Sequence, residues 1–452
     1  GMKGLEPFRR KVEDLYRERT PGSQALWEDS KGILPMGVSG AAKFYEPYPV
    51  ALAAGSGGHV TDVDGNDYVD LLMGAGSSLL GHSHPSVAAA VRDQIGRMAT
   101  VLAPAPLERE FAERIRGLMP YLERLRFANT GSEAVRTALR AARAATGRMR
   151  YAKFEGNYHG SDDYFLQSSV SREVAGPPHR PRPVFDSAGI PDRIREETLL
   201  LPYNDVENAV ALISENASDL AAVVMEPVAF SSGGAVAADR HFAQAVRDLT
   251  ARNGIVLIFD EVVTGLRLGT AGAPGYLGVT PDLSCIGKAI GGGLPLSAVG
   301  GRADIMEAVL GASAHARGTH IFHSGTFTGN PVSLAAGMAV LDVLEREPVL
   351  EHIDWLGGRL RSTLQEVLDS HGQGHMTGFG SIFQLHFTKV PPRNRREILA
   401  GDLALLGSVL LGLCAHGILW PPVHPGVLAY AHTESDIDRT ASCLETVLEM
   451  AS

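Results

Sequence analysis

Three cysteines in 452 residues, Cys285, Cys414 and Cys443, are too few and too widely spaced for a disulfide framework. No Cys-x-x-Cys pair occurs, so no thiolate zinc site is suggested and no metal is expected. Basic residues are not in excess either: 41 Lys and Arg face 51 Asp and Glu, a net charge of −10. That balance argues against a general nucleic-acid or anionic-membrane surface, though a local phosphate site stays open. No apolar run reaches the roughly 20 residues of a membrane span. The N-terminal stretch, with Glu6, Glu13 and Asp14 among its basic residues, lacks the apolar core of a signal peptide. A soluble globular protein in a reducing cytoplasm is the expectation.

The length suits two or three domains with large cores. Residues 5–30 read as a charged amphipathic helix, a Pro/Gly turn and more helix. Asp64-Gly65-Asn66 is a hairpin signal between alternating runs. Helical patterns follow near 85–98 and 107–118, and a long Ala/Arg helix at about 133–146. Strand-like runs at 149–154, 220–226, 255–260, 283–286 and 296–300 alternate with helical ones, which predicts βα units and a mainly parallel sheet. The proline-rich stretch 168–197 has little periodicity and reads as a lid or a disordered segment. Beyond about 350, helices alternate with strand-like runs at 380–388, 416–420 and 427–431, suggesting a smaller α+β domain. The expected division is an N-terminal segment 1–75 contributing to the small domain, a large domain 76–330, and an interdomain helix with the C-terminal small domain over 331–452.

The chemistry-bearing residues cluster at the ends of the apolar runs. Asp260 and Glu261 close Ile-Val-Leu-Ile-Phe-Asp-Glu, and Lys288 follows the next run in Cys-Ile-Gly-Lys-Ala-Ile-Gly-Gly-Gly. A carboxylate and an amine at the ends of two buried strands can face one ligand. That is the pairing pyridoxal phosphate chemistry needs: a Schiff-base lysine and an acid for the pyridine nitrogen. Burial among Ile286, Ala289 and Ile290 would lower the lysine pKa and free its amine to attack an aldehyde. Thr130-Gly131-Ser132, at a strand-to-helix junction, offers backbone N–H groups and hydroxyls to a phosphate; an unliganded N-cap is the simpler alternative. Tyr158, in Phe-Glu-Gly-Asn-Tyr-His-Gly, could stack on a planar ring or serve as a core tyrosine. His159 admits a general-base reading and a structural one. Glu226 ends another apolar run, and Thr326, before Gly329-Asn330-Pro331, could reach a phosphate.

Taken in order, these segments carry a resemblance. Leu80-Gly81-His82-Ser83-His84-Pro85, Asn129-Thr130-Gly131-Ser132-Glu133-Ala134, the 154–160 and 325–331 phrases, Glu226-Pro227-Val228-Ala229, Phe259-Asp260-Glu261-Val262 and Gly287-Lys288 resemble the class III aminotransferases. Within that class the chain is most similar to the glutamate-1-semialdehyde 2,1-aminomutases and related aminotransferases, from about residue 20 to 449. The resemblance implies the fold type I architecture of pyridoxal-phosphate enzymes: a large α/β domain with a mainly parallel seven-stranded sheet, and a smaller α+β domain built from both termini. It implies pyridoxal 5'-phosphate, passing through its pyridoxamine form, with Lys288 as Schiff base and proton shuttle and Asp260 on the pyridine nitrogen. Val262 and Tyr158 would pack on the two ring faces, and Gly131 and Ser132 would hold the phosphate. Thr130, His159 and Glu226 complete the expected cofactor site. Thr326 would reach the phosphate of a neighbouring subunit, so a homodimer acting on a small-molecule amino donor and acceptor is implied. The 168–197 loop matches the family's mobile lid.

Four substrate-side positions depart from the aminomutase pattern. Lys43 stands where an arginine would pair with the substrate carboxylate, keeping the charge but losing the fork. Ala75 replaces a tryptophan, and Ser231 an asparagine. The segment 421–426, with His424, replaces one carrying a pocket glutamate. Retained cofactor motifs with altered substrate positions point to an aminotransferase whose substrate is not glutamate 1-semialdehyde. The aminomutase itself and a non-catalytic binding protein are the two alternatives.

Overall fold

Short aliphatic runs build the central sheet of the larger of two units in a computed structural model, which describes residues 2–451 and side chains from residue 5 onward. Its strands in chain order are β1 (Arg124–Ala128), β2 (Arg150–Phe154), β3 (Thr198–Leu201), β4 (Leu220–Met225), β5 (Val256–Glu261), β6 (Leu283–Ile286) and β7 (Ser297–Gly301). In space they lie in the order β1-β7-β6-β5-β4-β2-β3. Only β7 runs antiparallel to its neighbours. The sheet is thus seven-stranded and mainly parallel, as the βα alternation predicts.

Strands β4 and β5 are buried along their whole length, because helices cover both faces. On one face Ala134, Val135 and Ala138 of the helix Gly131–Thr146 pack with Val224, Ile258 and Cys285. On the other, Phe242 and Val246 of the helix Arg240–Arg252 pack with Val223, Leu257 and Phe259. The two-residue period of β5 therefore turns Asp260 toward the same face as Ile258, the side of the Gly131–Thr146 helix.

The larger unit comprises residues 85–350 and 393–398. The smaller comprises 1–84, 351–392 and 399–452, so it is drawn from both ends of the chain. A four-stranded sheet in it joins Leu52–Ser56, His59–Asp62, Asp67–Asp70 and Ile418–Leu419, and a three-stranded one joins His375–Phe379, Ile382–His386 and Gly426–Val427. The hairpin expected at 64–66 forms, with Gly65 at φ +84 and Asp62 Oδ1 accepting the N–H groups of Asp64 and Asn66.

Three strand expectations need correction. The edge strand β3 lacked a visible signal, because the short helix Arg193–Glu197 runs straight into it with no turn residue to set it apart. The 380–388 run is half of a hairpin that turns at Gly380 (φ +55) and starts at His375. The 427–431 run pairs only at Gly426–Val427; beyond it Tyr430 donates its N–H to Leu79 O and leaves the sheet. The 168–197 stretch is irregular up to a short helix at Arg193–Glu197, with isolated bridges at Gln167–Phe185 and Ala175–Arg182, and Asp186 accepts the N–H groups of Ser169 and Ser171. Among the described residues no helix is long and apolar enough to cross a membrane.

Candidate active site

The parallel register of β5 with β6 sets Asp260 beside Cys285 and Glu261 beside Ile286. Lys288 follows two residues later, so amine and carboxylate rise from neighbouring strands at the same edge. Carboxyl ends of parallel strands are where open α/β sheets bind their ligands. Lys288 has φ +48, a left-handed conformation costly for a residue with a Cβ. Burial pushes its amine down to about 8, against the opposing pull of Asp260.

Asp260 is held from two sides. Its Oδ1 accepts the Val262 N–H at 3.0 Å, and its Oδ2 lies 2.9 Å from His159 Nδ1. Beside an ionised carboxylate the Nδ1 carries the proton. Burial lowers the His159 pKa against the opposing pull of Asp260, which favours the neutral ring. The ring packs edge-on against Phe165, with centroids 5.5 Å apart. His159 Nε2 and Asn157 Nδ2 are buried without a partner among the described residues.

The turn after β2 brings Tyr158 and His159 to this edge, and Glu226 at the end of β4 fastens it. Glu226 Oε2 accepts the Tyr158 N–H at 2.8 Å, Oε1 accepts that of Phe230 at 3.3 Å, and the Glu226 N–H donates to Asn157 Oδ1 at 2.8 Å. Burial first, then the charge of Asp260, raises the Glu226 pKa well above its usual range. Tyr158 is half-buried, while Glu155 and Asn157 beside it are buried.

The helix Gly131–Thr146 begins with a capping box: Thr130 Oγ1 accepts the Glu133 N–H, and Glu133 Oε2 accepts those of Asn129 and Thr130. The N–H groups of Gly131 and Ser132 have no carbonyl one turn back, which leaves them for an anion. Ser132 Oγ accepts the Ser161 N–H at 3.0 Å. Gly160 must be glycine here: at φ +94, a Cβ would come 2.2 Å from Ser132 Oγ. Val262 packs over Gly131, where an added Cβ would meet Val262 Cγ1 at 2.9 Å, and reaches Gly287 on its other side.

Lys288, Asp260, Val262, Gly131, Ser132, Tyr158, His159 and Glu226 thus meet along the carboxyl edge of one sheet or at the helix that starts beside it. Thr130 is its capping residue. Thr326 is exposed on the turn before the helix Pro331–Arg346 and bonds to none of these among the described residues.

The substrate-side positions divide between the units. Lys43, Pro421 and Val423 line one cavity of about 450 Å³ in the smaller unit, with Trp27, Leu34 and Leu72. Lys43 Nζ donates to Ser39 Oγ at 3.0 Å. Ala75, at φ +56, and His424 lie outside that lining, and Ser231 is half-buried in the larger unit. Two residues escaped the sequence reading. Asn157 joins the Glu226 clamp through its side chain. Lys153 is fully buried on β2, donates to Gln167 O, and is pushed down to about 8 by burial. Its signal was a charge inside the apolar run Tyr151-Ala152-Lys153-Phe154.

A buried lysine of lowered pKa, a carboxylate on the adjacent strand and a helix N-terminus free to bind phosphate suit pyridoxal phosphate, and they define an aminotransferase-type site on a fold type I scaffold. The chain belongs to the class-III aminotransferases, whose family model matches residues 41–433. It is an enzyme of the aminotransferase or aminomutase type, and pyridoxal 5'-phosphate is its cofactor. A glutamate-1-semialdehyde 2,1-aminomutase of Methanosarcina acetivorans is 36% identical over 422 residues, 92% of this chain and 96% of its own. A solved omega-transaminase from Sphaerobacter thermophilus is 34% identical, covering 97% of this chain and 99% of that one with a TM-score of 0.89. A transaminase solved with PLP bound is 30% identical at a TM-score of 0.85, over 96% of this chain and 98% of its own.

Proposed function

We propose that this enzyme is an aminotransferase that moves an amino group between an amino acid or amine donor and a carbonyl acceptor other than glutamate 1-semialdehyde. The observation that carries the reading is the cavity lined by Lys43, Pro421 and Val423, which joins one cation to a largely apolar wall. A carboxylate on an apolar body fits such a surface. A lysine offers it a point charge where the aminomutase pattern has a fork. The likeness to an omega-transaminase supports transamination as the reaction.

The cofactor, when bound, supplies an aldehyde for the amino group and a ring that accepts electrons from the substrate carbon. Lys288 Nζ would hold the cofactor through its aldehyde and would take up and give back the proton of the substrate carbon. Asp260, oriented by His159 and the Val262 N–H, keeps the pyridine nitrogen protonated. Gly131 and Ser132 hold the phosphate at the helix N-terminus, with Thr130 and its capping box fixing their direction. Val262 and Tyr158 flank the ring, and Glu226 holds the Tyr158 turn in place.

Thr326 of the partner subunit would add a phosphate contact in a homodimer. Phe322 and Phe327 on either side of Thr326 are 73% and 58% exposed, which supports a surface covered by a second copy. Three free cysteines accord with a reducing cytoplasm.

The aminomutase reaction is the second reading, favoured by the 36% identity to such an enzyme. Incubation with glutamate 1-semialdehyde alone separates the two. We expect no 5-aminolevulinate, and efficient formation of it would defeat the proposal. A panel of amino donors, followed spectrally for the pyridoxamine form, identifies the donor.

A further inference from the structure

The turn that carries Tyr158 and His159 is gripped from outside by a segment more than two hundred residues away. Residues 393–398 belong to the larger unit, although the chain on both sides of them belongs to the smaller. Two arginines in this short stretch point into the larger unit. Arg396 makes a fork on Glu155: Nε to Oε2 at 2.8 Å and Nη2 to Oε1 at 3.0 Å. Two further donors go to the carbonyls of Gly176 at 2.8 Å and Ala175 at 2.9 Å. Arg395 donates to Ser232 O at 2.9 Å and Ser171 O at 3.1 Å.

These contacts converge on one assembly. Glu155 opens the turn whose later members are Asn157, Tyr158 and His159. Ser232 follows Phe230 and Ser231 in the turn of a small hairpin beyond β4, which pairs Val228–Ala229 with Val236–Ala237. Glu226 binds both turns from inside, through the N–H groups of Tyr158 and Phe230. Arg396 and Arg395 bind the same two turns from outside. Gly156 marks how tightly they meet: at φ +84, an added Cβ would lie 2.6 Å from Arg395 Cβ. A partly buried fork of this kind fixes direction as well as distance, since a guanidinium and a carboxylate have one coplanar arrangement. The same arginines hold carbonyls at 171, 175 and 176, at the start of the irregular 168–197 stretch.

We propose that Arg395 and Arg396 are positioning residues for the cofactor: they set the turn that presents Tyr158 and His159 and the turn that presents Ser231. The claim rests on the cofactor roles proposed above for Tyr158 and His159. It adds a dependence of those roles on two side chains that touch neither cofactor nor substrate.

The test compares Arg396→Met, Arg396→Lys and a control, Arg393→Met, which removes only an exposed partner of Asp239. Apoenzyme is titrated with pyridoxal phosphate, the visible circular dichroism of the bound cofactor is recorded, and kcat and KM are measured separately. For Arg396→Met we expect cofactor affinity to fall about tenfold, because the buried Glu155 carboxylate is left without its partner. The dichroic band should shrink and kcat should fall more than KM rises. Arg396→Lys should recover only part of this, because a point charge replaces the fork. The control should match the parent in every readout. An Arg396→Met enzyme with parental affinity and dichroism overturns the inference. Should that variant fail to fold, Arg395→Gln, which leaves the Glu155 fork intact, is judged by the same two outcomes. A parent protein that takes up no pyridoxal phosphate defeats the proposed function instead.

Discussion

Asp260→Asn keeps the shape of the site and removes one charge. In the folded chain the carboxylate meets His159 Nδ1 at 2.9 Å and the Val262 N–H at 3.0 Å, and an asparagine oxygen can retain one of these bonds. The fold should survive, because the buried Glu226, whose pKa the Asp260 charge helps to raise, is relieved of a like-charged neighbour. What is lost is ionic pairing to the ring nitrogen. A hydrogen bond to a charged group is worth about 1.5–3 kcal/mol and a neutral one about 0.5–1.5. The difference, on the order of 1 kcal/mol, weakens cofactor binding by less than tenfold. The rate should suffer far more. A single group facing developing charge in a closed site is worth about 3 kcal/mol, roughly a hundredfold in kcat. Cofactor titration by absorbance and steady-state kcat on the identified donor measure the two separately. A variant that binds cofactor and turns over within about threefold of the parent would refute the assigned role of Asp260.

Three more outcomes follow from the same geometry. Lys288→Ala should abolish turnover and leave no cofactor covalently fixed after borohydride reduction, as read by mass spectrometry, while cooperative melting persists. The amine of Lys288 is held near about 8, so in the apoenzyme it is increasingly neutral as pH rises toward that value. Stopped-flow cofactor capture should therefore speed up by about tenfold per pH unit well below 8 and level off above it; a flat profile from 6 to 9 would count against a free-amine nucleophile. Gly156→Ala should destabilise the protein by about 1–3 kcal/mol, since it needs both a left-handed backbone and space that Arg395 fills. An unchanged thermal scan at fixed rate would disprove that.

Much of the cofactor side was legible because its signals are local. Asp260 is the last but one residue of a six-residue buried strand, and Lys288 follows a four-residue one. Thr130 caps a helix whose capping box can be read from Thr130 and Glu133 alone. The substrate side was legible only as departures at Lys43, Ala75, Ser231 and the 421–426 segment. The edge strand β3 was missed because the helix Arg193–Glu197 runs straight into it with no turn residue between.

The sequence by itself determined the strands, the caps and the turns that need glycine, because each depends on side chains within a few positions of one another. Only the tertiary structure decided which ends lie side by side. The order β1-β7-β6-β5-β4-β2-β3 sets β5 between β6 and β4, so Lys288 and Glu226 follow strands on either side of Asp260. Packing likewise set Lys43 and Val423 around one cavity, and joined Arg396 to Glu155 across 241 positions. No local propensity encodes such pairings, since they follow from the burial of the whole core, in which every strand and helix takes part at once.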